Sequence, residues 1–271
     1  MGPNVAAAVA TYLDAILDAH RSAASDDTRS LDRLLESVPS FPPARRFTEA
    51  VRSTASGELA VIAEVKRRSP SKGDLAPDLD PAATAAAYEA GGAVYTSVLT
   101  DEAFFGGSAA DLAAARAAVS IPVLRKDFTV DPRDVVDTRL MGADCVLLIA
   151  AALDDAELRE FLQLAAEVGV DALVEVHDEA EAGRALAAGA TLIGVNQRDL
   201  VTFEVDTARA VRVAPTLPEG VVRVAESGIA GPADAAVLAA AGYHAVLVGE
   251  HLVRSGDPAA AVRRLRHHRQ T

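Results

Sequence analysis

Residues 171–199 read DALVEVHDEAEAGRALAAGATLIGVNQRD, and this stretch decides the fold. The short, nearly continuous apolar run over 172–176, interrupted by the charge of Glu175, predicts a strand buried on both faces. An Ala-rich segment of helical period follows over 179–188 and stops before Gly189, a residue suited to the left-handed turn that ends helices. A second apolar run, 192–195, then opens into the polar Asn196-Gln197-Arg198-Asp199. Strand, helix and strand of this kind make a βαβ unit, with parallel strands and a polar loop after each.

The unit recurs along the chain. Strands are predicted at 61–65, 93–99, 123–125, 145–149, 172–176, 192–195, 222–225 and 245–248, with starts spaced by about 26 residues. Helices are predicted at 81–90, 109–119, 132–141, 154–168, 179–188, 206–213, 232–241 and 251–266; several open on Pro or Asp and several end before Gly91, Gly142, Gly169, Gly189 or Gly242. Eight such repeats predict an α/β chain forming a (β/α)8 TIM barrel. A doubly wound dinucleotide-binding sheet would carry GxGxxG after its first strand, and none follows Val65.

Ahead of the repeats, Val5, Val9, Leu13, Ile16 and Leu17 share one face of a helix predicted over 5–22, and Leu31, Leu34 and Leu35 predict a second, short one. Ser40-Phe41-Pro42-Pro43 reads as a linker leading to Arg46-Phe47. Sixty residues are few for a separate core, so 1–60 is expected to be a helical extension packed on a barrel of 61–271, one domain overall.

Composition narrows the function. The chain has 271 residues, half of them hydrophobic, with no apolar run long enough to span a bilayer, so a soluble globular protein is expected. No basic side chain precedes Arg21, and Cys145 is the one cysteine; export is not expected, internal disulfides and CxxC metal sites are excluded, and a cytoplasmic location fits. A net charge of −13 disfavours nucleic acid and anionic membranes as partners, although a local basic cluster can still hold a small anion. Of 26 basic residues only Lys66, Lys72 and Lys126 are lysines. An amine can give up its proton where a guanidinium cannot, so these three are candidates for acid–base or electrostatic work.

In a barrel the active site lies at the C-terminal strand ends. There the chain carries Glu64 and Lys66, Lys126, Glu175, Asn196 and Glu226. Singly, each would be an ordinary loop residue or a structural ion pair; converging on one mouth, two amines and three carboxylates push their pKa values apart and favour chemistry. Ser227-Gly228 and Gly249-Glu250 follow the last two strands, the usual position for backbone N–H groups that hold phosphate. Ser69, Lys72 and Gly73 fit either a lid over that anion or a flexible loop. Phe104, Phe105 and Phe128 suggest a pocket for a flat apolar group, with ordinary packing as the alternative. Cys145 is expected in the core. His177 lacks an HxH or HExxH context, so no metal is expected, and His20, His244, His251, His267 and His268 read as surface or tail residues.

With these residues in view, the chain resembles indole-3-glycerol phosphate synthases over roughly residues 40 to 265. The resemblance rests first on Ala63-Glu64-Val65-Lys66-Arg67-Arg68-Ser69-Pro70-Ser71-Lys72-Gly73. It extends through Ser97-Val98-Leu99-Thr100-Asp101, Phe104-Phe105-Gly106-Gly107-Ser108, Pro122-Val123-Leu124-Arg125-Lys126-Asp127-Phe128 and Leu173-Val174-Glu175-Val176-His177. Gly194-Val195-Asn196-Gln197-Arg198-Asp199-Leu200, Glu226-Ser227-Gly228-Ile229 and Leu247-Val248-Gly249-Glu250 complete it, with Gln197 standing where the family has a second Asn.

The resemblance implies ring closure, decarboxylation and dehydration of 1-(2-carboxyphenylamino)-1-deoxyribulose 5-phosphate, without a cofactor. It implies Lys126 as the acid for ring closure, Glu175 and Lys66 as base and acid for dehydration, Glu64 and Glu226 tuning the lysines, and Asn196 orienting the intermediate. Phe105, Phe128 and Leu200 would hold the aromatic ring, Arg198 would contact substrate, and Ser69, Ser227, Gly228, Gly249 and Glu250 would hold phosphate. A monomer is expected. The competing readings are another sugar-phosphate barrel, an isomerase or epimerase, and a non-catalytic ligand-binding barrel.

Overall fold

The computed structural model describes residues 11–52, 54, 58–70 and 72–266. Eight parallel strands close into a barrel: β1 (Ala60–Val65), β2 (Tyr95–Leu99), β3 (Val123–Lys126), β4 (Cys145–Ile149), β5 (Asp171–Val176), β6 (Leu192–Asn196), β7 (Val222–Glu226) and β8 (Ala245–Val248). Each strand pairs with its neighbours in sequence, and β8 returns to β1 through the register Ala60↔Ala245 to Ala63↔Val248. The fold is the (β/α)8 barrel expected from the repeat.

Alternation sorts each strand into two rows. The outward row, with Val61, Val98, Val146, Val174, Val195 and Val246, packs under helices α4 (Pro81–Ala90), α6 (Ala109–Ala118), α7 (Pro132–Leu140), α8 (Asp155–Val168), α9 (Glu179–Ala188) and α11 (Pro232–Ala240). The inward row, with Ala60, Ile62, Tyr95, Leu124, Cys145, Leu147, Leu173, Leu192, Val224 and Leu247, fills the barrel. Continued by two residues, that row runs from Ile62 to Glu64, from Leu124 to Lys126, from Leu173 to Glu175 and from Val224 to Glu226. The apolar core thus gives way to charge at the C-terminal strand ends.

Helix starts are set by local chemistry. Asp154 accepts hydrogen bonds from the Ala156 and Glu157 backbones while its own backbone N–H donates to the Glu157 carboxylate, a capping box, and Gly169 ends α8 at φ 80°. Asp178 caps α9, which ends at Gly189 with φ 96°.

The extension differs in detail from its prediction. The first helix is α1, Tyr12–Asp26, capped by Thr11, so it runs four residues past the expected end; Val5 and Val9 lie outside the described residues. Helix α2 (Leu31–Ser37) is the expected short one. Helix α3 (Phe47–Arg52) was not anticipated: Phe47 stacks on Tyr95 with ring centroids 3.6 Å apart, and Thr48 N–H donates to Asp171 Oδ2 (2.7 Å). Six residues are too few for a visible period, and the helix gains its place by plugging the barrel floor.

Four further departures sit at the mouth. Residues 68–69 and 73–74 pair as a small antiparallel hairpin, and the four-residue helix α5 (Glu102–Phe105) follows β2. Helix α10 spans only Arg209–Val213 because 198–205 folds into a loop closed by an Arg198–Val205 bridge. The last predicted helix is two, α12 (Glu250–Val253) and α13 (Pro258–Arg266), separated at Ser255-Gly256. Ser71, His267 and His268 lie outside the described residues. Among the described residues, no helix is long and apolar enough to cross a membrane.

Candidate active site

The C-terminal strand ends surround a cavity of about 1060 Å³. Most residues singled out from the sequence line it: Glu64, Lys66, Lys126, Glu175, Asn196 and Glu226 at its floor, and Ser69, Phe105, Phe128, Arg198, Leu200, Ser227, Gly228, Gly249 and Glu250 around its walls, whereas Gly73 and Phe104 do not. Parity in the barrel strands explains the convergence, since five of the six floor residues sit on strands at inward positions and Lys66 follows Glu64 by two.

The floor holds two amine–carboxylate groups. Lys66 Nζ lies 2.5 Å from Glu64 Oε1. Lys126 Nζ lies 3.0 Å from Glu175 Oε2 and 3.7 Å from Glu226 Oε2. Asn196 Nδ2 donates to Glu175 Oε1 (3.0 Å), and Asn196 Oδ1 accepts from Arg198 N–H (3.0 Å), so both ends of the amide are fixed. Gly194, on the inward row of β6, leaves the space that the Glu226 carboxylate fills. The side chains of Glu175 and Glu226 are 1% and 2% exposed, so neither charge is screened by water.

Burial and neighbouring charge separate their protonation states. Burial alone would depress the Lys126 ammonium; the carboxylates of Glu175, Glu226 and Glu64 outweigh it and raise its pKa. Burial would also raise Glu175, but Lys126, His177 and the Asn196 hydrogen bond pull it down to about 2. Glu226 feels burial and then the Glu175 charge, both raising it, and Lys126 offsets them only in part; it is pushed up to about 8. At neutral pH the cluster therefore offers a charged amine, an ionised carboxylate and a protonated carboxylic acid within hydrogen-bonding reach of one cavity.

One side of the cavity is apolar. The rings of Phe105 and Phe128 lie 6.1 Å apart, and Leu99, Ile149 and Leu200 add further apolar lining. Phe104 does not line the cavity; it packs edge-on against Tyr12 at 5.7 Å. Another part of the lining is built from tight turns. Ser227 and Gly228 both have left-handed backbones, φ 66° and 71°, directly after β7. A Cβ on Gly249 would run into Glu64 Oε1 and Lys66 Nζ, so glycine lets the β8 loop approach the first ion pair. Lys72, Arg254 and Arg264 also border the cavity.

Sequence reasoning missed the contribution of α1, whose Tyr12, Leu13 and Ile16 complete the apolar wall. It also misread His20 as a surface residue. His20 Nε2 bonds Asp101 Oδ2 (3.0 Å) and lies 3.9 Å from Asp127, while Asp101 Oδ1 caps α5 by accepting from the Phe104 and Phe105 backbones. Burial would lower the imidazole's pKa, but Asp101 and Asp127 raise it, so α1 is clasped to the loop that carries Phe105. The periodicity of α1 showed its apolar face; nothing in it could show which strand ends that face would meet. His244 and His251 are half-buried: His244 Nδ1 accepts from Arg223 N–H, and His251 borders the cavity. Cys145 is buried in the barrel interior, where burial pushes its thiol pKa well up.

The family model described as indole-3-glycerol phosphate synthase matches residues 13–265. Proteins named indole-3-glycerol phosphate synthase from Mycolicibacterium smegmatis and Mycobacterium leprae are each 53% identical over 255 residues, covering 93% of this chain and 93% of theirs. The similarly named protein of Mycobacterium tuberculosis is 51% identical over the same coverage. Among solved structures, a thiamine phosphate pyrophosphorylase from Pyrococcus furiosus superposes with a TM-score of 0.59 at 16% identity, over 76% of this chain and 93% of that one, a likeness of fold alone.

Proposed function

The chain belongs to the indole-3-glycerol phosphate synthase family, and from that premise we propose which side chains carry its reaction. The enzyme is a carboxy-lyase of tryptophan biosynthesis that converts 1-(2-carboxyphenylamino)-1-deoxyribulose 5-phosphate to indole-3-glycerol phosphate. Its substrate has an aromatic end, a ketone and a phosphate, matching in order the apolar wall, the charged floor and the glycine turns. The observation that carries the assignment is Lys126 between Glu175 and Glu226, at 3.0 and 3.7 Å.

In ring closure, the ring carbon bearing the carboxylate attacks the ketone carbon, and Lys126 gives a proton to the oxygen as its charge develops. The carboxylates that hold Lys126 charged also weaken it as an acid, yet an alkoxide is basic enough to take the proton. Carbon dioxide then leaves, and its bonding electrons restore the aromatic ring. In dehydration, Lys66 protonates the departing hydroxyl and Glu175 takes a proton from the neighbouring carbon, closing the second double bond. Two amines have lost a proton and one carboxylate has gained one, so the cluster takes up one proton from solvent to reset.

Glu64 holds Lys66, Glu226 tunes Lys126, and Asn196 orients the intermediate beside Glu175. Phe105, Phe128 and Leu200 hold the aromatic ring, Arg198 contacts substrate, and Ser69, Ser227, Gly228, Gly249 and Glu250 hold phosphate. The steps are redox-neutral and need no cofactor. On this proposal the enzyme works in the cytoplasm as a monomer, with residues 1–60 an extension of one barrel domain; the acidic charge and lone buried cysteine support the location. The test is indole fluorescence developing when purified protein meets the substrate. Silence with that substrate, together with turnover of a ribulose phosphate, would instead mark a sugar-phosphate isomerase or epimerase.

A further inference from the structure

Behind Glu175 stands a histidine that the steps above leave unused. His177 follows Glu175 by two residues, at the end of the inward row of β5. Its backbone N–H donates to Glu181 Oε2 (2.7 Å), and its Nδ1 lies 3.0 Å from the same oxygen. The other ring nitrogen, Nε2, is buried without a hydrogen-bond partner and lies 3.5 Å from Glu175 Oε1. Leaving a buried imidazole nitrogen unpaired is costly, so its place beside a carboxylate calls for a reason.

The two oxygens of Glu175 face different neighbours. Oε2 meets Lys126, and Oε1 meets Asn196 and His177. When Lys126 passes its proton to the ketone oxygen it becomes a neutral amine, and Glu175 loses the cation 3.0 Å away. A carboxylate with 1% exposure cannot turn to water for compensation. Among the described residues, His177 is the other basic group within ion-pair range of it.

We propose that His177 is a positioning residue of this reaction: its imidazolium, held by Glu181, fixes Glu175 Oε1 and keeps Glu175 ionised while Lys126 is without its proton. The role rests on the assignment of Glu175 and Lys126 above. The groups around the imidazole are Glu175 on β5, Glu181 on α9 and Arg209 on α10. Burial favours the neutral ring; Glu181 and Glu175 outweigh burial and Arg209, and raise its pKa. Glu175→His177→Glu181 is thus a chain of alternating charge running from the reacting centre to the first turn of α9.

The experiment compares the parent with Glu181→Gln, His177→Asn and His177→Gln, measuring kcat and KM across pH and following the His177 ring by NMR titration. Glu181→Gln keeps an acceptor for the His177 backbone but removes the charge that favours imidazolium. Its His177 should lose its proton at lower pH, and the alkaline limb of kcat should move down by about one unit, with KM within about twofold. The two His177 variants, uncharged at every pH, should lose about tenfold or more in kcat. A histidine that only braced the start of α9 would lower the melting temperature and leave the limb where the parent has it. Coincident limbs in parent and Glu181→Gln overturn the proposal, as does kcat within about twofold of the parent in a folded His177 variant. If neither His177 variant folds, the Glu181→Gln limb decides alone. Glu175→Gln is measured alongside: survival of its turnover refutes the role of Glu175 and this one with it, whereas its loss beside unchanged His177 variants refutes this one alone.

Discussion

Replacing Lys126 by arginine separates a proton donor from a charge. In the structure the Lys126 ammonium lies 3.0 Å from Glu175 and 3.7 Å from Glu226. At an effective dielectric of about 20 the nearer contact is a gross attraction of about 5 kcal/mol, much of it offset by desolvation. A guanidinium keeps that attraction. It does not keep the chemistry, because in the same surroundings a guanidinium holds its proton more tightly than an amine does, and its planar fork misplaces the N–H groups relative to a single amine. Loss of a general acid typically costs about a hundredfold to ten-thousandfold in rate, or about 3–5 kcal/mol of barrier. We therefore expect Lys126→Arg to melt close to the parent, yet to be nearly as inactive as Lys126→Ala. The alanine variant should also be less stable, by up to about 3–5 kcal/mol if Glu175 stays ionised without its cation, and less where it takes up a proton. Turnover is read by indole fluorescence at saturating substrate across pH, so that weakened binding does not masquerade as lost chemistry. Arginine-variant activity within about tenfold of the parent would refute proton donation and leave Lys126 an electrostatic role.

Glu226→Gln should flatten the pH dependence of stability. The native Glu226 pKa is raised from 4.5 to about 8, so its stabilising contribution is complete below 4.5 and is lost as pH rises through about 8. Denaturant midpoints of the parent should fall across that window relative to the variant, and parallel profiles would show that Glu226 is ionised in the native state. Asp101→Ala removes both the cap of α5 and the partner of His20, and should cost about 1–2 kcal/mol while raising KM, because Phe105 rides on α5; an unchanged KM would mean that the clasp does not shape the apolar wall. Crystals soaked in sulfate should bind the ion between Ser227-Gly228 and Gly249-Glu250, and consistent binding elsewhere in the cavity with this position empty counts against the phosphate assignment.

The eight repeats were legible because buried parallel strands and their covering helices write distinct periods into sequence, and because glycine and aspartate mark where each helix ends and begins. The floor of the cavity was legible for a related reason. Once strands alternate and barrel strands point one row inward, a charge at the inward position of a strand end has one destination, as Glu64, Lys126, Glu175 and Glu226 show. Short elements were not legible. Helices α3 and α5 span six and four residues, fewer than two turns, and are held by Tyr95 stacking and by the Asp101 cap rather than by any pattern of their own.

Local period and parity in the sequence therefore suffice for the barrel, for its C-terminal mouth and for the side chains that meet there. Tertiary structure alone decided which neighbour each charge received and hence its proton. Lys126 is bracketed by two carboxylates from strands 49 and 100 residues further along, burial and then the adjacent Glu175 charge raise the pKa of Glu226, and His20 reaches Asp101 from a helix 81 residues earlier. Coulomb energy depends on separations of a few ångströms in a dry interior, and no periodicity along the chain encodes those separations.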